Sequence, residues 1–252
     1  MKIIGVIPAR MASQRFPGKP LFPILDRPMI SHVYDRAKLC SSLDSLVLSS
    51  GDKEIKDFAI KNKYNFVDSG NHHTRALDRV AEVGSKLKLN NNDIIINIQG
   101  DEPMFHPEMI DKLIQPFFSD KDINATVLGM QIIDEIIWKD PDTVKIIHNN
   151  NNEVLYTSRA PLPFAEKFST DLNAKRIFGI FAFKFKYLKI FTSFNQTFLE
   201  KVESCDSNRI LDMKFTQTVV PYNYIDSFSV DKREDIDLVE KHILKDKYWG
   251  KY

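Results

Sequence analysis

Ile3, Ile4, Val6 and Ile7 form an almost unbroken apolar run that Pro8 ends, the pattern of a strand buried on both faces, as in a parallel sheet. The spacing then turns helical, and Ile30, Val33, Tyr34 and Ala37 predict a helix over 29–39. A second apolar strand over 45–49, a helix over 54–63 and a short strand over 64–67 follow, then a helix over 78–89 and a fully apolar strand over 93–98. Strand and helix alternate through this half. That order predicts the α/β class, with βαβ units building a doubly wound, mostly parallel sheet.

From about residue 124 the texture changes. Strands are predicted over 126–133, 144–147, 154–157 and 178–183, with an Asn-rich turn at 149–152, and helices over 187–194, 199–211 and 234–245. Alternation is lost, as expected for a smaller β-rich lobe inserted on the main sheet. The boundaries divide a single domain of 252 residues into about 1–123, 124–230 and 231–252.

Composition narrows the partners. Lys+Arg 35 against Asp+Glu 34 leaves a formal charge of +1, which argues against a protein that coats nucleic acid, because that needs a basic surplus. Cys40 and Cys205 are too few for a disulfide framework or a four-thiolate metal site, and point to a reducing, cytoplasmic setting. The apolar run at the start stops at Pro8, short of a signal peptide or a membrane span, so no membrane insertion is expected.

The segment after the first strand, Pro8-Ala9-Arg10-Met11-Ala12-Ser13-Gln14-Arg15-Phe16-Pro17-Gly18-Lys19-Pro20, places three cations and a glycine at the carboxyl end of a parallel strand, where open α/β sheets bind ligands. Cations that converge as the loop folds back, with backbone N–H groups unused by regular structure, suit a polyphosphate. Neither GxxxxGK[ST] nor GxGxxG is present, which excludes the P-loop and dinucleotide loops by motif. Gln99-Gly100-Asp101 follows the strand over 93–98, so Asp101 belongs to the same sheet edge, and a hard carboxylate beside phosphates invites Mg²⁺. Asp231, with Glu234 three residues on, also reads as a capping-box-like helix start. Arg209 lies three residues from Asp206, a spacing that allows a surface ion pair.

The stretches IPARMASQRFPGKPL, NIQGDEPM, LYTSRAPLPF and VDKREDID occur in that order along the chain. Through them it resembles the cytidylyltransferases that activate acidic sugars, closest to the 3-deoxy-manno-octulosonate (Kdo) cytidylyltransferase, or CMP-Kdo synthetase, family. The resemblance implies a nucleotide-diphospho-sugar transferase-like fold, with residues 1–123 as the nucleotide half, 124–230 as the acceptor-binding and dimerisation lobe, and 231–252 as a segment returning a metal ligand. It implies CTP and a small acidic acceptor as partners, Mg²⁺ as cofactor and a homodimer. Asp101 and Asp231 become the metal ligands, and Arg10, Arg15 and Lys19 the groups that hold the triphosphate and steady the departing pyrophosphate. Pro8, Ala9, Ser13, His73, Arg79 and Gln99 join them around the nucleotide, while Arg159, Ile177, Phe183, Asp206 and Ser207 fall at acceptor positions.

The pattern breaks in places. Where the family reads His-Gln-Ser-Gly-Thr-Glu-Arg, this chain has His73-Thr74-Arg75-Ala76-Leu77-Asp78-Arg79, losing a glycine and a hydroxyl. Where it reads Arg-His-Leu-Gly-Ile-Tyr-Gly-Tyr, the chain has Arg176 to Phe183 with Ile177, Phe181 and Phe183 in place of an imidazole and two phenols. Period-two alternation puts these three on one face, expected to be the pocket wall. With Asp206-Ser207 replacing a Glu-Gln pair, the triphosphate residues are kept and the acceptor residues changed, so Kdo itself is expected to be a poor substrate beside a Kdo-like sugar acid, the alternatives being another acceptor such as a phosphonate or a non-catalytic nucleotide-binding relative.

Overall fold

The computed structural model describes residues 1–13 and 15–252; Gln14, in the first loop, lies outside the described residues. The chain divides into two compact units, 1–111 with 226–252, and 112–225. The first is therefore discontinuous in sequence, and its boundaries differ from the 123 and 230 read from the texture change.

In the first unit, strands β1 (Ile3–Pro8), β4 (Ser45–Ser50), β5 (Phe66–Asp68) and β6 (Ile94–Ile98) lie in the order β6-β1-β4-β5, and every pairing is parallel. The short hairpin β2 (Pro23–Ile24) and β3 (Arg27–Pro28) stands apart. All five residues of β6 and the first five of β1 are buried, which is why both read as continuous apolar runs. The chain steps from β1 outward to β4 and β5, then returns to the other side of β1 as β6. The order reverses between β1 and β6, so the carboxyl ends of these two strands form the crevice that such sheets offer to ligands.

The helix Met29–Lys38 carries a buried histidine. His32 is fully enclosed, with Nε2 3.1 Å from the Ile24 carbonyl and Nδ1 3.0 Å from the Tyr252 hydroxyl, a pairing that suits the neutral ring. Burial, reinforced by the nearby Arg27 and Arg36 charges, lowers its pKa to about 4 despite the Ile24 carbonyl. The unfolded chain binds this proton near pH 6.5 and the folded one only near 4, so stability is complete above about 6.5 and declines as pH falls toward 4, by about 3 kcal/mol in all. Urea unfolding from pH 7 to 4.5 is expected to show this slope, and His32→Asn to flatten it. Equal slopes in the two proteins would remove His32 as its source.

In the second unit, β7 (Ala125–Gln131), β8 (Lys145–His148), β9 (Val154–Ser158), β10 (Lys175–Lys184) and β11 (Gln217–Tyr222) are mixed. β7 lies between β11, which is parallel to it, and the antiparallel β10, and β8 links β10 to β9. β11 was not foreseen, because Pro221 interrupts its apolar run; at the edge of this sheet the missing N–H costs no ladder bond. The helix expected over 199–211 is two helices, Phe198–Glu203 and Asp206–Asp212, separated by Ser204 in the left-handed conformation (φ 49°) and an extended Cys205.

Candidate active site

After β1 the backbone keeps sheet pairing for one more residue, with the Ala9 N–H donating to Ser49 O (2.9 Å), and then turns outward. The Met11 N–H donates to Asp52 (2.7 Å), and the Gly18 N–H closes the loop onto Met11 O (3.0 Å). Gly18 does this at φ +78°, a conformation that side chains disfavour. Phe16 anchors the arc from inside, buried among Ile24, Met29, Met104, Val230 and Ile236. The loop is held at its base by an apolar plug, so its cations face the crevice.

Lys19 Nζ donates to Asp101 Oδ2 (2.9 Å) and Val230 O (2.7 Å) and stands 3.9 Å from Asp231 Oδ1. Arg15 Nη2 lies 2.9 Å from the same Asp231 oxygen, and Arg10 donates to Thr74 O (3.3 Å). Two contacts hold the returning segment against the end of β6: the Val230 N–H to Asp101 O (2.9 Å), and the Ser229 hydroxyl to the buried Glu102 carboxylate (2.5 Å). Burial first, and the neighbouring Asp101 charge second, raise the Asp231 pKa above the ordinary carboxylate range. Two carboxylates placed side by side at one cleft, Asp101 and Asp231, suit a divalent cation with oxygen ligands. The helix Asp235–Ile243 does not use Asp231 as its cap; the Asp231 and Lys232 N–H groups both donate to Asp235 (2.7 Å each), which leaves the Asp231 carboxylate to the cleft.

All eleven nucleotide and metal residues named from the sequence, Pro8, Ala9, Arg10, Ser13, Arg15, Lys19, His73, Arg79, Gln99, Asp101 and Asp231, line one open cleft of about 460 Å³. Arg75 lines it too, so five cationic side chains and two carboxylates contribute to its walls. Arg79 is buried, and its guanidinium donates to Ser69 Oγ (2.6 Å) and Gly70 O (2.9 Å), bracing the turn before the helix Ala76–Lys86. Ala76 opens that helix and Leu77 enters the core, so the segment that lost the family's glycine presents a helix N-terminus to the cleft, whose first-turn N–H groups suit phosphate. Gly100 is required by close approach: a Cβ there would meet Ile30 Cδ1 at 3.0 Å and Pro8 O at 3.1 Å. Thr74, Arg75, Glu102 and Ser229 were not foreseen as site residues, since pairings such as Glu102 with Ser229 leave no local signal.

The residues expected at acceptor positions belong to the second unit, and two of them have enclosed side chains. Phe183 is buried and packs on Phe191 (ring centroids 6.1 Å apart), and Ser207 is fully enclosed in the helix Asp206–Asp212, so neither presents its side chain to a ligand. Phe181 is buried as well. A register shift between Phe178 and Phe181 against β7 breaks the assumed alternation, and β10 is covered on both faces from Phe178 to Phe183. These phenylalanines are core, not pocket wall. Ile177 and Asp206 remain half-buried.

Arg159 is tied to Glu203, its N–H donating to Oε2 (2.8 Å) and Nε to the Glu203 carbonyl (2.9 Å), while Nη1 donates to Pro141 O (2.7 Å). Glu203 also accepts from the Ser158 and Tyr156 hydroxyls (2.9 Å each). Burial would raise its pKa, but these donors outweigh it and hold the carboxylate below its usual range. Lys145, fully buried, donates to Asp140 O (2.7 Å) and Thr143 O (2.5 Å), and burial lowers its pKa. Arg209 pairs with Glu200, a buried partner nine residues away that its helical spacing does not point to.

A family profile described as cytidylyltransferase matches residues 4–218. The 3-deoxy-manno-octulosonate cytidylyltransferase of Nitratidesulfovibrio vulgaris is 38% identical over 93% of this chain and 93% of its own. The 8-amino-3,8-dideoxy-manno-octulosonate cytidylyltransferase of Shewanella halifaxensis is 34% identical over 98% of this chain and the whole of its own. A solved CMP:2-keto-3-deoxy-manno-octonic acid synthetase complexed with CTP superposes with a TM-score of 0.89 at 27% identity, covering 97% of this chain and 99% of that one. With the nucleotide loop, the acidic strand end and the returning aspartate gathered in one cleft, the chain belongs to the cytidylyltransferase family, in the group of the CMP-Kdo synthetases.

Proposed function

We propose that the protein transfers a cytidylyl group from CTP to the anomeric hydroxyl of a Kdo-like sugar acid, with Mg²⁺ held by Asp101 and Asp231. The observation that carries this reading is the convergence of the first loop, the end of β6 and the returning segment on one cleft, with Lys19 spanning both carboxylates. The sugar oxygen forms a bond to the α-phosphorus, the bond from that phosphorus to the pyrophosphate oxygen breaks, and the hydroxyl proton is lost to solvent. Such a transfer depends on positioning and charge neutralisation and needs no covalent nucleophile. Arg10, Arg15 and Lys19 bind the triphosphate and take up the negative charge that builds on the leaving pyrophosphate. The N–H groups at the start of the helix Ala76–Lys86 orient it further. A bound Mg²⁺ supplies charge neutralisation at the α-phosphate and acidifies the attacking hydroxyl.

With Phe181 and Phe183 in the core, their missing phenols remove no contact to the sugar, and Kdo stands as an acceptor beside its 8-amino analogue, which relatives of similar identity are named for. Pyrophosphate release from CTP with Kdo, the 8-amino analogue and a sialic acid, each with and without Mg²⁺, tests the reading. Turnover confined to octulosonates and to reactions containing Mg²⁺ is expected, and silence with both octulosonates would end it. CTP is expected to react faster than UTP; equal rates would show that the altered Arg75-Ala76-Leu77 segment has relaxed base choice. The second unit exposes Leu155, Phe164, Phe198 and Val202, apolar surface that supports assembly as a homodimer. Among the described residues no helix is long and apolar enough to cross a membrane.

A further inference from the structure

No carboxylate lies within three residues of His72 and His73 in the sequence. The fold supplies one, Glu82, from the helix Ala76–Lys86. His73 Nε2 hydrogen-bonds to Glu82 Oε2, and His72 Nε2 lies 3.6 Å from the same oxygen. The two imidazole rings are 4.0 Å apart between centroids, and one ligand atom from each of the three residues falls within 4.8 Å of the others. The second oxygen, Oε1, is taken by Lys86 Nζ at 2.6 Å, which fixes the carboxylate with Oε2 turned to the histidines. Cation ligands at about 2.1 Å in tetrahedral array stand roughly 3.4 Å from one another, close to the His72 separation.

We infer that His72, His73 and Glu82 form a second cation site, for a borderline divalent ion of the Zn²⁺ class, through which such an ion slows the enzyme. Two imidazoles with one carboxylate select Zn²⁺, Co²⁺ or Ni²⁺ over Mg²⁺, whereas the Asp101 and Asp231 pair offers only oxygen and suits Mg²⁺. Lys86 acts as the outer partner that orients the ligating carboxylate. Inhibition follows from position. His73 and Thr74 line the nucleotide cleft, and the Thr74 carbonyl accepts from Arg10, so an ion bound to His73 fixes the segment that orients a triphosphate cation. His72 is exposed and does not line the cleft, which makes it the ligand to change.

Co²⁺, a spectroscopic substitute for Zn²⁺, should be titrated into the whole protein in excess Mg²⁺, with the visible d–d bands followed. One equivalent is expected to bind with an intense band of low-coordinate type, and His72→Gln to weaken binding roughly tenfold or more. Without added transition metal, His72→Gln is expected to turn over CTP as the parent does, and Zn²⁺ to inhibit the parent at concentrations the variant tolerates. Co²⁺ binding of equal strength in both proteins, no band at tenfold excess, or equal inhibition of both by Zn²⁺ overturns the inference. The binding measurement involves no acceptor, so its outcome is separate from that of the proposed reaction.

Discussion

Asp101→Asn is expected to lower turnover on the order of 10²–10³-fold while leaving the fold intact. The change conserves volume and removes one charge at a cleft wall, where Asp101 accepts from Lys19 at 2.9 Å and raises the Asp231 pKa by its proximity. An amide there is a far weaker ligand for a hard divalent cation and no longer neutralises the ammonium of Lys19. The loss should fall on kcat more than on the KM for CTP, because Arg10, Arg15 and Lys19 still hold the triphosphate. Asp231→Asn is expected to behave alike, and the double variant to lose little beyond either single change, since the two act on one ion. Pyrophosphate release as a function of Mg²⁺ concentration, with circular dichroism as the folding control, measures this. Near-parental turnover at limiting Mg²⁺ would remove the substituted residue from the metal site.

The second large effect is on stability. Arg209 and Glu200 form a forked ion pair, Nε to Oε2 at 2.7 Å and Nη2 to Oε1 at 2.5 Å, with side chains 3% and 0% exposed. The guanidinium also lies 4.2 Å from the centroid of the Phe191 ring and donates to the Phe191 and Phe194 carbonyls, while Glu200 completes a capping box with Thr197. Arg209→Met strands a buried carboxylate, and a loss of about 3–5 kcal/mol is expected. Glu200→Gln should cost less, since the amide oxygen can still accept from the guanidinium. The Arg209→Met, Glu200→Gln double variant should lose less than the sum of its parts, because no charge is then left unpaired. Denaturant unfolding of the four proteins measures the coupling; strict additivity would show that the pair contributes only by packing.

The first loop was legible in the sequence because its message is local: cations, a glycine and prolines crowded at the end of an apolar run. So was β6 with Asp101, for the same reason. Asp231 required the resemblance, because a carboxylate followed by Glu234 reads equally well as a helix cap, and only the folded chain shows Asp235 taking the Asp231 and Lys232 N–H groups while the Asp231 carboxylate lines the cleft. The acceptor side was read poorly. Period-two alternation fails wherever a strand is covered on both faces and bulged, as β10 is, so lost phenols that looked like lost ligand contacts are core packing. Arg209 shows the same limit: spacing along one helix offers only near neighbours such as Asp206, and the break at Ser204 brings Glu200, nine residues away, to the guanidinium.

The discontinuity of the first unit has a consequence for how the chain is made. Phe16, Ile24, Met29 and Met104 share one apolar cluster with Val230, Ile236, Val239 and Ile243, so the floor beneath the nucleotide loop is built from both ends of the sequence. During synthesis the early half of that cluster leaves the ribosome long before the late half, and residues 112–225 intervene. Until the late helix arrives, Phe16 has no complete seat and Lys19 lacks both the Val230 carbonyl and Asp231. Closing so long a loop adds only a logarithmic entropy cost, but it delays the event. Until residues 226–252 have emerged, the crevice therefore lacks Asp231 and half of its apolar floor.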